Sequence, residues 1–217
     1  MKKLIIPSNL ITILLTLSIL GCSSSSDVQD IIQDDIIQED ITEQEETFGD
    51  EDKDALLFML EEEKLARDTY TFLGDLWAIN QFNNIKQSEQ THMNAIVNLL
   101  ENNDIQYTIL PYGEFNNQEL QALYDEFKTN GATSKAKALQ IGATIEDLDI
   151  VDLQNFIDKM SNSSIVSVFK SLQCGSRNHL RSFVKAIENN GDTYTPQYLS
   201  STEYSSIIND TQEKCNQ

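Results

Sequence analysis

The chain contains only two histidines, His92 and His179, and both recur at helical spacing with acids and apolar residues. Glu89-Gln90-Thr91-His92 is a Glu-x-x-His pair. Positions i and i+3 share one helix face, so a carboxylate and an imidazole there can grip one centre. Glu63 lies in Glu63-Lys64-Leu65-Ala66-Arg67-Asp68-Thr69-Tyr70, Glu146 precedes Asp149 by one turn, and His179 ends Ser176-Arg177-Asn178-His179. Glu63, Glu89, His92, Glu146 and His179 all fall on faces that are otherwise apolar. A buried carboxylate is costly unless it is paired or bound to a metal. Carboxylate and imidazole without thiolate suit Fe or Mn, with Zn also open. Such a centre can oxidise Fe(II), reduce peroxide or activate oxygen through open coordination positions. Two plainer readings compete: a metal-free hydrogen-bonded network, or faces rotated so that these groups meet water.

The elements that must carry these residues read as helices. One face from residue 54 to 77 runs Met59, Glu63, Ala66, Tyr70, Leu73, Trp77, and a second runs Phe82, Ile85, Glu89, His92, Ile96, Leu99. Steps of three and four residues mark one side of a helix. Asn102-Asn103-Asp104 ends the second. A loop with Pro111 and Gly113 leads to a shorter amphipathic piece near 118–129, stopped by Asn130-Gly131. The next helix starts at Ser134 or at Thr144, where Thr144-Ile145-Glu146-Asp147 resembles a capping box. Its face runs Gly142, Glu146, Asp149/Ile150, Leu153, Phe156/Ile157, Met160. Asn162 caps a last long helix through Leu172, Ser176, His179 and Phe183 to Asn190-Gly191, and a short helix follows Pro196 with Ser200 and Glu203 as its cap. Four long helices, a short extra helix between the second and third, and one long crossover describe an all-α four-helix bundle of ferritin-like topology. Bundles that hold two irons or manganeses take one Glu from each of two helices and Glu-x-x-His from the other two. Ser176 stands where the second such Glu belongs, and Asp149 is the substitute on the neighbouring helix; otherwise one metal, or an asymmetric pair, is bound.

Five segments together are specific: 61–68, 88–93, 145–150, 175–181 and 194–199. With them the chain resembles a family of bacterial and archaeal ferritin-like proteins, a domain of unknown function, over residues 54–208. Glu-x-x-Ala-Arg and Glu-x-x-His are also similar to rubrerythrin-type bundles. The resemblance implies a ferritin-like fold and a dinuclear metal site, and carries no reaction. The expected ligands are Glu63, Glu89, His92, Glu146, Asp149 and His179. Arg67, Asp68 and Asn178 are candidates to orient them by hydrogen bonds, and Tyr70 is such a group, a redox-active one, or a core aromatic. Glu62 reads as solvated or as supporting the ligands, Lys64 and Arg181 as surface charges.

Lys+Arg number 15 and Asp+Glu 35, so the net charge is 15 − 35 = −20. Without a basic cluster, nucleic acid is not expected as a partner. Met1-Lys2-Lys3, the apolar stretch 10–20 and Ile19-Leu20-Gly21-Cys22 resemble a bacterial lipoprotein signal over 1–21, which implies lipid on Cys22, a membrane partner and an outer-membrane or cell-surface location. An ordinary secretory signal or an N-terminal membrane helix competes. Residues 22–51 read as a disordered acidic tether, and 52–217 as the folded domain. Cys174 and Cys215 pair as a disulfide, or Cys174 supplies a thiolate near His179. The metal-free alternative is an envelope interaction module, and a third reading is metal storage without turnover. A homodimer is compatible with the sequence, which names no redox partner.

Overall fold

The computed structural model describes residues 48–215, so Cys22, the signal and most of the tether lie outside the described residues. Six helices and no strand occur among the described residues: α1 (Asp50–Trp77), α2 (Asn80–Asn102), α3 (Gln118–Gly131), α4 (Lys135–Ile157), α5 (Ser163–Asn189) and α6 (Ser201–Asn209).

The helix ends follow cap chemistry. Asn117, Ser134, Asn162 and Ser200 each accept backbone N–H bonds from the first turn of α3, α4, α5 and α6, which satisfies otherwise orphaned donors. Of the two starts considered for α4, Ser134 is the cap. Thr144 lies inside the helix and donates its hydroxyl to the Gln140 carbonyl, 2.9 Å away. Ala78, in the left-handed region at φ 53°, closes α1, and its N–H reaches the Gly74 carbonyl. Only Ala78 and Ile79 separate α1 from α2, so the two form a tight antiparallel hairpin. α4 and α5 form a second hairpin, and the connection from 103 to 134, carrying α3, joins the two. α1 packs along α2 and α4 along α5, while α2 meets α5 and α1 meets α4.

The crossover is held by side chains of α1. Lys64, 1% exposed, donates to Asp68 Oδ2 (2.7 Å), the Pro111 carbonyl (2.9 Å) and the Glu114 carbonyl (3.0 Å). Its ammonium also sits 4.2 Å over the Phe115 ring. Glu61 accepts the backbone N–H groups of Asn116 and Asn117. Lys64 is thus an internal strut, not the surface charge its type suggested. Arg181 differs from expectation in the same way: it donates to the Ile207 carbonyl and to Glu213.

Apolar packing divides into two clusters. One holds Tyr70, Leu73, Phe82, Ile85, Leu139 and Phe183 among others. The other holds Leu56, Met59, Ile96, Leu153, Phe169 and Leu172 among others. On α1, α2 and α5 the acids and histidines singled out above lie between the residues of one cluster and those of the other, and on α4 Glu146 and Asp149 lie beside Ile145 and Ile150 of the first, ahead of Leu153 of the second. The four helices therefore share a polar layer sandwiched between two dry layers. Gly142 lets the first cluster close, because a Cβ there would lie 2.7 Å from Phe183 Cδ1 and Cζ.

Cys174 on α5 is bonded to Cys215 in the tail. Its sulfur therefore offers no thiolate to the histidines. Beside it, Glu213 accepts from Arg177 and Arg181, and Asn178 donates to the Glu213 carbonyl. The bond closes a separation of 41 residues, so Cys215→Ser is expected to lower stability by up to about 4 kcal/mol on the chain-entropy account. Urea unfolding of the oxidised wild type against this variant measures the difference; equal midpoints would show the clasp to be held by Glu213 alone.

Candidate metal centre

The polar layer is built one residue at a time from the four long helices. α1 contributes Glu63, α2 contributes Glu89 and His92, and α4 contributes Glu146, each 1–2% exposed. α5 contributes His179, whose side chain is 12% exposed. His92 Nδ1 lies 3.1 Å from Glu63 Oε2 and 2.9 Å from Glu89 Oε2. His179 Nδ1 lies 3.0 Å from Glu89 Oε1 and 3.4 Å from Glu146 Oε2. The rings are near-parallel, with centroids 5.7 Å apart. Glu89 therefore turns one oxygen to each imidazole. Two groups capable of holding a metal ion result, Glu63–Glu89–His92 and Glu89–Glu146–His179, and Glu89 belongs to both.

The surroundings orient these groups. Ser88 Oγ lies 3.1 Å from His179 Nε2, which leaves Nδ1 for the interior. Tyr70, fully buried between Phe82 and Phe183, donates its hydroxyl to Glu146 Oε1 at 2.5 Å. Asp149 is not a member of either group. It lies one turn along α4, 6% exposed, with Oδ2 bonded to Ser176 Oγ and Oδ1 without a partner. Ser176 also reaches the Leu172 carbonyl at 3.0 Å. The Asp149 carboxylate thus occupies the neighbourhood that a glutamate at 176 would fill.

Electrostatics show how poorly satisfied the layer is. Burial pushes the Glu63 carboxyl well up, against the pull of His92. Burial likewise raises Glu146, against His179. Burial also opposes ionisation of Glu89, but His179 and His92 together hold it well below the usual range. Both imidazoles resist burial and are pushed up by their carboxylates, His92 by Glu63 and Glu89, His179 by Glu89 and Glu146 to about 10. Asp149 is pushed up to about 8 by burial, against the Ser176 hydrogen bond. Buried atoms with no partner cluster here: Glu63 Oε1, His92 Nε2 and Asp149 Oδ1, while Glu89 Oε1 has only His179 Nδ1. In a settled core such atoms are rare. Carboxylate oxygens and imidazole nitrogens that converge with only protons to hold them together are the chemistry a divalent cation completes.

Three residues expected to orient the ligands do other work. Arg67 donates to Asp68 and to Gln90 of α2, tying α1 to α2, and Asp68 takes Lys64 and the Gly113 N–H, bracing the crossover. Asn178 binds the tail at Glu213 and Cys215. Each points away because it lies one or two residues off the inward position, 100° or more around the helix. Glu62, read as solvated or supporting, is 2% exposed. Gly175 is a residue the sequence reading passed over. A Cβ there would lie 2.7 Å from His92 Nε2 and 2.9 Å from its Cε1, so only glycine leaves room for the ring. The available signal was a glycine inside a helical pattern, which usually has a packing or functional reason.

Comparison with known proteins places this architecture. The family described as an uncharacterized protein domain, DUF2202, matches residues 52–211. The uncharacterized protein MJ0754 of Methanocaldococcus jannaschii is 46% identical over 167 residues, covering 76% of this chain and 90% of that protein. The crystal structure of the hypothetical protein MJ0754 superposes with a TM-score of 0.75 at 45% identity, over 76% of this chain and 96% of that one. These relatives overturn the expected bacterial outer-membrane or cell-surface location. The matching protein is archaeal and nearly its whole length corresponds to the helical domain, so that domain does not mark a bacterial outer-membrane lipoprotein. The match covers α2 to α6 and all of α1 but its first two residues, and by it the chain belongs to the DUF2202 family.

Proposed function

We propose that the domain is a ferritin-like bundle whose polar layer binds two divalent cations, Fe or Mn, for redox chemistry with oxygen or peroxide. The observation that carries this reading is Glu89, whose two oxygens serve two groups, each completed by one imidazole Nδ1 and one further carboxylate. His92 and Glu63 would hold one cation, His179 and Glu146 the other, with Glu89 between them and Asp149 as the remaining acid. A pair of such cations supplies one-electron redox steps and open positions for a small oxidant. The protein's part is to keep the layer dry, fix His179 through Ser88, and hold a proton on Tyr70 against Glu146. Zn fits the donor types less well, because carboxylate oxygens outnumber nitrogens.

Elemental analysis of protein purified without a metal-affinity tag, then anaerobic Fe(II) titration, tests the reading. About two ions per chain are expected from the two groups, and His92→Ala with His179→Ala removes them. No uptake by the wild type, or an unchanged spectrum in the double variant, would defeat it. Oxygen or peroxide consumption after loading separates turnover from storage.

Protonation gives an independent check. His179 is raised to about 10 and Asp149 to about 8 from ordinary values of 6.5 and 3.8. A group with a raised folded pKa stabilises fully below its unfolded value and loses that contribution as pH climbs through the folded one. Metal-free protein therefore loses stability as pH rises from about 4 through 10, and the same protons must leave when metal binds. The thermal shift given by Mn(II) should grow from about pH 6 to about pH 9; calorimetric scans at both ends would expose a flat or inverted trend.

Gly175→Val is expected to displace the His92 ring. It should weaken Mn(II) binding at least about tenfold, the size of effect seen when groups that orient ligands are lost. Isothermal titration decides, and wild-type affinity in a folded variant would show the ring to be free to move.

A further inference from the structure

Charge balance in the proposed centre leaves one carboxylate over. Glu63, Glu89, Glu146 and Asp149 carry four negative charges when ionised, which two divalent cations match if both imidazoles are neutral. Glu62 has no share in that balance. It is 2% exposed, and the partner its carboxyl meets is another acid, Asp152, with no basic or amide group bonded to either oxygen. The charged groups acting on it are Asp149, Asp152 and Glu63, all acids. Its side chain leaves α1 about 100° from Glu63, toward α4. There Glu146, Asp149 and Asp152 follow one another at three-residue intervals on one face. Exposure rises along that face, from 2% at Glu146 to 6% at Asp149 and to a part-exposed Asp152. The outer end is not closed by a tight ion pair: Lys159 acts on Asp152, behind its contacts with Glu62 and Asn155.

Burying a carboxylate without a donor costs stability, and Glu62 returns none. It caps no helix and takes no part in bracing the crossover, which Glu61 and Lys64 do on either side of it. A carboxyl kept in the interior against a second carboxyl, with no cationic partner, is suited to hold a cation briefly. On the reading of the centre given above, we propose that Asp152, Glu62 and Asp149 form the route by which divalent cations pass from solvent to the metal pair, Glu62 being the transit ligand. The gradient of exposure sets the direction, and because no cation or amide is bonded to Glu62, a passing cation has only the proton of its contact with Asp152 to displace.

Co(II) is the probe, added anaerobically to metal-free full-length chain and followed by stopped-flow absorbance. Glu62→Gln and Asp152→Asn should reach the wild-type Co(II) content and final spectrum, but about tenfold or more slowly, in the range by which local charge alters association rates. Glu101→Gln, an exposed acid elsewhere, should load at the wild-type rate. Metal-free Glu62→Gln should melt at a higher temperature than the wild type. Unchanged loading rates would overturn the route. So would loss of a bound Co(II) from Glu62→Gln, which would make Glu62 a permanent ligand, or a lowered melting temperature, which would give it a structural role. A wild type that takes up no Co(II) would instead defeat the reading of the centre itself.

Discussion

Five carboxylates and two imidazoles meet in the middle of a helical bundle, and the rest of the structure depends on that concentration of charge. With every group ionised the layer carries 2 − 5 = −3, counting Glu62, Glu63, Glu89, Glu146 and Asp149 against His92 and His179. Such a charge cannot stay in a dry interior, so protons or cations must neutralise it. Protons do so in part: the imidazoles hold theirs against Glu63, Glu89 and Glu146, and several of the acids resist ionisation. They do not satisfy the atoms, however, since Glu63 Oε1, His92 Nε2 and Asp149 Oδ1 remain without partners and Glu62 meets only another acid. Neutralisation by cations would satisfy charge and geometry together.

The apolar clusters above and below the layer acquire a second meaning in this light. Their packing, Tyr70 on Phe82 and Phe183 on one side and Leu56, Met59 and Phe169 on the other, provides the stability that the middle consumes. α1 shows the division of labour most clearly. Four successive residues serve three targets: Glu61 and Lys64 the crossover backbone, Glu62 α4, and Glu63 His92. One turn of helix both builds the centre and ties down the connection that closes the bundle over it.

The helices were legible because caps and periodicity are local. Asn162 and Ser200 act as the caps their positions implied, and the inward residues fall where three- and four-residue steps put them. The convergence of Glu63, Glu89, His92, Glu146 and His179 was legible for the same reason: each breaks an apolar face. What could not be read were side chains whose partners come from the crossover and the tail. Lys64 and Arg181 looked like surface charges because nothing in their own helices reveals a distant carbonyl or carboxylate. Arg67, Asp68 and Asn178, neighbours of ligands in sequence, point elsewhere. Gly175 needed the opposite helix to explain it, since the atom it avoids is His92 Nε2.

Asp149 and Ser176 make a last point about how such a centre tolerates change. A glutamate at 176 would stand one turn from His179 on α5. Here a shorter acid on α4 reaches across and is bonded to the Ser176 hydroxyl. Total charge is kept, but the carboxylate is now fastened through one oxygen, leaving only Oδ1 free. On the proposed reading this makes the pair unequal. Each cation has its own imidazole and glutamate, while the acid that would complete the set is displaced toward Glu62 and held there. An acid in that position is worse as a fixed ligand and better as a neighbour to a cation in passage, which is where the charge around Glu62 also places it.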